Sequence, residues 1–156
     1  MKIFKNIKEL NKVLKSLINK KIVFTNGVFD IIHPGHIELF EFAKKNGDLL
    51  IVGINDDDSV KNIKGKNRPI FNLNERMELL EAIEYIDYII PFSQDTPIDL
   101  INKLFRIDVL VKGGDYKADE VVGKKEVERT GGKLLLFKFQ TNYSTSSIIK
   151  KIKNQT

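Results

Sequence analysis

The sequence predicts an α/β fold: a Rossmann-like, doubly wound, five-stranded parallel sheet with helices on both faces. Three observations carry this. Apolar runs of strand length alternate with amphipathic stretches of helix length along the whole chain. The strands are short and apolar on both faces, as in a parallel sheet that is covered on each side. Three polar segments, TNGVFDIIHPGH, KGGDY and TNYSTSS, each follow a strand. Right-handed crossovers bring such segments to one edge of the sheet, where ligands of doubly wound folds bind. With 156 residues and no linker, repeat or low-complexity segment, residues 1–156 read as a single domain.

In chain order, Leu10, Val13, Leu14, Leu17 and Ile18 recur at helical spacing, so residues 1–20 form a surface helix packed on the domain. Ile22-Val23-Phe24 is the first buried strand and turns at Asn26-Gly27. Pro34 suits the first position of the next helix, which carries Ile37, Phe40 and Ala43 inward and stops at Gly47. Leu49 to Ile54 is the second strand. Asp56-Asp57-Asp58-Ser59 caps a short helix reaching Ile63, and Lys64 to Pro69 is a basic loop. Asn74 caps a helix with Met77, Leu80, Ala82 and Ile83 inward. Tyr88-Ile89-Ile90 is the third strand, stopped by Pro91. Thr96-Pro97 opens a helix through Leu100, Ile101 and Leu104. Asp108 to Val111 is the fourth strand, a helix follows over Asp119 to Arg129, and Leu134 to Phe137 is the fifth strand. Ser144 caps a last helix through Ile148, Ile149 and Ile152.

The absence of cysteine removes disulfides, thiolate metal sites and cysteine nucleophiles. No apolar run approaches a membrane span, and the basic N-terminus lacks the apolar core and cleavage site of a leader. The expectation is a cytoplasmic protein without a membrane partner. The net charge of +5 fits a lysine-rich surface or an anionic partner. With no nucleic-acid motif and with lysines spread along the chain, a small phosphorylated substrate fits better than DNA or RNA.

Both histidines of the chain, His33 and His36, fall at the start of the second helix. Free backbone N–H groups and the helix dipole attract anions there. Capping and local turn bonding are the plain alternative. No G-x-x-x-x-G-K-[ST] loop is present, and no G-x-G-x-x-G follows the first strand. Phosphate binding therefore falls to His33, His36 and the helix start, with Gly27 and Gly35 allowing close approach of backbone. Asp56-Asp57-Asp58 reads as a helix cap rather than a metal cage, and no other cluster suggests a metal fixed by the protein.

GVFDIIHPGH resembles the G-x-F-D-x-x-H-x-G-H signature of the cytidylyltransferase-like nucleotidyltransferases, and Tyr143-Ser144-Thr145-Ser146 resembles their second signature. The finer likeness, nearly end to end, is to the heptose 1-phosphate adenylyltransferases. It rests on VFTNGVFDIIHPGH, LIVGINDDDSVKNIKGKNRPI, ERMELLEAIEYIDYIIPFSQDTP and DVLVKGGDYKADEVVG. That family is often fused behind a sugar kinase, and this chain resembles a freestanding form without one. The resemblance implies that ATP and a heptose 1-phosphate give an ADP-heptose and pyrophosphate. It implies His33, His36 and Lys64 as catalytic residues. Nucleotide contacts would come from Asn26, Gly27, Val28, Phe29, Gly35, Lys112, Gly113, Asp115, Tyr143, Ser144, Thr145 and Ser146, besides the two histidines. Asp30, Lys64 and Arg76 would face the sugar phosphate, with Lys66 and Arg68 as weaker candidates.

A plain reading stands beside each: a turn cap for Asp30, a solvated surface for the loop cations, an ion pair for Arg76, a β-turn for Lys112 to Asp115, and capping for Ser144. Mg²⁺ would arrive with ATP and bind mainly phosphate and water. The resemblance further implies a homodimer and a role in cell-surface, lipopolysaccharide-type sugar biosynthesis. Some relatives carry an arginine shortly before the Ser-Thr turn, where this chain has Phe139-Gln140-Thr141-Asn142. Lys138 or the loop lysines take that load, or the polyphosphate is held less tightly. Other substrate pairs remain open, CTP with glycerol 3-phosphate or GTP with a heptose phosphate, as does a nucleotide-binding regulatory module without turnover.

Overall fold

The computed structural model describes residues 2–139 and 143–155. Five strands form one all-parallel sheet: β1 (Ile22–Gly27), β2 (Leu49–Asn55), β3 (Tyr88–Phe92), β4 (Val109–Gly113) and β5 (Lys133–Phe137). Their spatial order is β3-β2-β1-β4-β5. The helices are α1 (Ile7–Ser16), α2 (Pro34–Lys45), α3 (Asp57–Lys64), α4 (Leu73–Glu81), α5 (Ile98–Lys103), α6 (Lys124–Arg129) and α7 (Thr145–Lys153).

Strand alternation divides the core into two layers. Ile22 and Phe24 face one side, with Leu10 and Leu14 of α1, Leu100 and Ile101 of α5 and Val127 of α6. Val23 faces the other, with Leu39, Phe40 and Ala43 of α2 and Met77 and Leu80 of α4. Helices thus cover both faces, and the doubly wound reading holds. The order of strands reverses between β1 and β4, and there the pairing is short. β1 pairs with β2 at six positions, from Ile22–Leu49 to Gly27–Ile54. It pairs with β4 only at Val23–Val109 and Phe24–Leu110. Beyond Phe24 the two central strands part, and a crevice opens at their carboxyl ends.

Several boundaries differ from expectation. Pro91 lies inside β3 instead of ending it, because β3 is an edge strand where the missing N–H costs no ladder bond. Asn72, not Asn74, caps α4: only Asn72 stands three residues before Glu75, and the two close a reciprocal capping box. Ala82, expected inward, is the exposed C-cap of that helix. The helix expected over Asp119 to Arg129 is broken into a 3₁₀ turn, Ala118–Glu120, and α6. The break is Gly123, at φ 93°, a left-handed conformation that suits glycine. Ile18 is 57% exposed, beyond the end of α1. Ser144 caps α7 as expected, in a box with Ser147. Among the described residues, no helix is long and apolar enough to cross a membrane.

Candidate active site

The crevice between β1 and β4 widens into a cavity of about 520 Å³. Its centre is built by the chain leaving β1. Asn26, Gly27, Val28, Phe29 and Asp30 line it, followed by His33 and His36. Phe29 holds φ at 47°, uncommon for a non-glycine residue and usually kept where surroundings over-determine it. Its ring packs 5.1 Å from Phe40 and edge-on, 5.3 Å, against His36. A Cβ on Gly27 would lie 2.9 Å from Phe29 Cζ, so glycine is what lets the ring sit under the strand end.

His33 is the N-cap of α2 and Pro34 its first residue. The imidazole of His33 makes no capping bond, so capping does not account for it. The two imidazoles stack with centroids 3.8 Å apart. Burial lowers the pKa of His33, against an opposing pull from Glu38. Burial and then the neighbouring His33 push His36 down to about 3. Both rings are therefore neutral at pH 7. Each buries an Nδ1 that finds no partner among the described residues.

Cations enter from both flanks. Lys112, at the end of β4, donates to Asn26 Oδ1 at 2.9 Å and to the Asn26 carbonyl at 3.2 Å, across the gap where the ladder stops. Burial without a carboxylate partner pushes its ammonium down to about 8. Lys64, the last residue of α3, lines the cavity from the β2 side and is exposed. Arg68 lines the same side, with its Nε on Asp30 Oδ2 at 2.6 Å. The start of α7 lines the opposite flank through Tyr143, Ser144, Thr145 and Ser146. Thr145 Oγ1 donates to the Ile31 carbonyl, which ties α7 to the loop after β1. Two helix N-termini thus meet one cavity, a favourable setting for anions.

Not every expected residue reaches this cavity. Arg76 does not face it. Its side chain is fully buried and donates to the carbonyls of Val28, Asn55 and Phe71 and to Asp57 Oδ1. It braces the outside of the loop after β1, and the unfavourable position of a cation in the first turn of α4 is offset by those acceptors. Asp30 lines the cavity, but its carboxylate is occupied by Arg68 and by the Ile70 and Phe71 N–H groups. Asp115 is exposed and off the cavity wall, because Gly114 turns the chain away at φ 134°. Tyr116 lines the cavity in its place. Gly35 leaves room for the rings of His33 and Phe139, and Gly113 chiefly for that of Phe139. Lys66 is exposed and away from the lining. Gln140, Thr141 and Asn142 lie outside the described residues.

Sequence reasoning missed Asn55, Asp95, Thr96 and Glu120, which complete the wall. Asn55 ends β2 and Asp95 follows β3, so their place at carboxyl strand ends was the available signal. Asp56 caps α3 through Ser59, and Asp57 serves Arg76. Among the described residues, no group of three or more His, Cys, Asp or Glu could hold a metal ion.

The cytidylyltransferase-like family model matches residues 24–151. The bifunctional protein HldE of Haemophilus influenzae (strain PittGG) is 52% identical over 134 residues, 86% of this chain. That of Helicobacter hepaticus is 51% identical over 140 residues, 90% of this chain. The chain spans 28% of the length of these relatives. Among solved structures, the lipopolysaccharide core biosynthesis protein from Thermoplasma volcanium matches with a TM-score of 0.63 at 29% identity, over 80% of this chain and 99% of that one. Pantoate-beta-alanine ligase from Francisella tularensis matches with a TM-score of 0.66 at 18% identity, over 99% of this chain and 77% of that one, a likeness of fold alone.

Proposed function

The chain belongs to the cytidylyltransferase-like family, and from that premise we propose that it is a nucleotidyltransferase transferring AMP from ATP to a heptose 1-phosphate, with release of pyrophosphate. The observation that carries this is one cavity in which the neutral His33–His36 stack meets Lys64, Arg68, Lys112 and the starts of α2 and α7. These are donors and cations for polyphosphate, without a nucleophile poised for covalent catalysis. The relatives at about half identity, and the likeness to the lipopolysaccharide core biosynthesis protein of Thermoplasma volcanium, support the sugar branch.

The acceptor's phosphate supplies the nucleophile. One of its oxygens forms a bond to the α-phosphorus while the bond from that phosphorus to the bridging oxygen breaks, and pyrophosphate leaves opposite. The protein's part is to align two anions and to meet charge as it builds. Neutral His33 and His36 donate N–H to phosphate oxygens without the mutual repulsion that two stacked imidazolium ions would suffer. Loss of one such donor costs on the order of 10²–10³ in rate. Lys112 and the α7 start face the nucleotide, and Lys64 the reacting phosphates. Mg²⁺ accompanies ATP and neutralises polyphosphate charge when bound. It would be held mainly by phosphate and water.

The protein acts in the cytoplasm, as a homodimer, in cell-surface sugar biosynthesis. Exposed Ile70, Phe71 and Leu79, on α4 and the segment before it, support the dimer as apolar surface; light scattering after gel filtration tests it. The activity is tested by pyrophosphate release with all four NTPs against a panel of sugar and polyol phosphates. Release with ATP and heptose 1-phosphate is expected. Release only with CTP and glycerol 3-phosphate would refute this reading, and no release with any pair would favour a binding module.

A further inference from the structure

We propose that Arg68, aimed by Asp30, is the residue that grips the phosphate of the acceptor sugar. This deepens the proposed function and rests on it.

Arg68 is the only arginine among the described residues lining the cavity. Its side chain is 13% exposed, and that of Asp30 is fully buried. The contact between them is monodentate, from the side: only Nε is used, at 2.6 Å to Asp30 Oδ2. Asp30 is held in turn. The Ile70 N–H donates to both of its oxygens at 2.9 and 2.8 Å, and the Phe71 N–H to Oδ1 at 2.9 Å. The carboxylate is thus immobile, and it fixes the plane of the guanidinium.

Of the five donors on a guanidinium this leaves the four on Nη1 and Nη2. None of the four has a hydrogen-bond partner among the described residues. Neither nitrogen is among the buried atoms without a partner, so both open to the cavity, where an anion can replace water. Their parallel N–H pair matches two oxygens of one phosphate, which a lysine cannot do. Asp30 also takes two backbone N–H groups, so its charge is shared and the guanidinium remains a donor to an anion.

The side of the sheet argues for the acceptor. Arg68 and Lys64 come from the connection after β2, on the β3 side of β1. Lys112 and the α7 start come from the β4–β5 side, where the nucleotide is read. His33 and His36, on the loop between, take the α-phosphate. The attacking phosphate therefore meets the wall that carries Arg68.

The test is steady-state pyrophosphate release by wild type, R68K, R68Q and D30N, with Lys12→Gln on α1 as a charge control. R68Q is expected to raise KM for heptose 1-phosphate about 10- to 100-fold while KM for ATP stays within about twofold. R68K should recover part of the loss, since charge returns without the fork. D30N should raise the same KM with Arg68 intact. A rise in KM for ATP alone, or equal changes in both, would overturn the proposal, as would no change. Thermal melts check that each variant is folded. Calorimetric titration with heptose 1-phosphate, in the presence of a nonhydrolysable ATP analogue, needs no turnover. If wild type turns over no substrate pair, the proposed reaction fails, while binding lost in R68Q upholds the role of Arg68. Equal binding by both proteins, or no binding by either, overturns it.

Discussion

Arg76 offers the sharpest test of how this site is supported, through Arg76→Met. The substitution keeps an apolar stem of similar length and removes the guanidinium. Three carbonyls, those of Val28, Asn55 and Phe71, then lose donors that stand at 2.7, 2.8 and 3.0 Å. The bond to Asn55 is buried and the other two are partly buried, so at about 1 kcal/mol each, the low end for an acceptor left unpaired, the three together cost about 3 kcal/mol. Asp57 loses its partner at 2.8 Å, but it is 35% exposed and water takes over much of that bond. Its share is therefore about 1 kcal/mol rather than the larger figure for a fully buried pair. The total of about 4 kcal/mol is a large part of a typical stability of about 5–15 kcal/mol. At about 2–4 °C per kcal/mol for a domain of this size, the melting temperature should fall by about 8–16 °C. Calorimetry of wild type and variant measures it. Because Val28 leads into the loop that carries both histidines, kcat should fall as well, at temperatures where the variant is still folded. A melting point within about 3 °C of wild type, together with a selective rise in KM for the sugar phosphate, would refute the bracing role and return Arg76 to the substrate.

The remaining expectations concern protons and packing. The pKa of His36 is depressed to about 3 in the folded protein, whereas an unfolded histidine titrates near its ordinary 6.5. Unfolded chains therefore bind the extra proton between those values, so stability is lost as pH falls from about 6.5 toward 3. His36→Asn should flatten that slope in melts taken between pH 4 and 7. An unchanged slope would count against the buried neutral ring. By NMR, a nonhydrolysable ATP analogue should raise the pKa of both histidines, since bound phosphate favours the imidazolium. Lys112, near 8, should give kcat/KM for ATP a falling alkaline limb that Lys112→Arg moves upward. Gly27→Ala forces the Phe29 ring away and should lower kcat about tenfold or more by disturbing His36. Kinetics equal to wild type would show that the ring does not position the histidine.

The sheet, its helices and the histidine pair were legible because each rests on local pattern: period in the strands, a proline at a helix start, two histidines one turn apart. Arg76 was misread for an instructive reason. A cation in the first turn of a helix is an anomaly at the level of sequence, and a ligand is one way to resolve it. Three carbonyls from three separate segments resolve it too, and no spacing reveals them. Asp115 stood in a suggestive motif, but the φ of one glycine decides which way the chain turns after β4. Pro91 ends a strand only when a neighbouring strand needs its N–H, and edge position is a property of the assembled sheet. Asn55, Asp95 and Glu120 lie within the segments that resemble the adenylyltransferases, but no spacing singles them out, and folding brings them to one wall.

The two-rung pairing of β1 with β4 has a consequence for redesign. The slot exists because backbone pairing stops, before any side chain is chosen. Its floor therefore tolerates little: Lys112 and Asn26 stitch the opening, and replacing them changes the architecture as much as the chemistry. The turns that carry Thr96 and Tyr116 line the cavity as well. A graft that aims to change what is bound while keeping the chemistry should exchange those turns and leave the seam untouched.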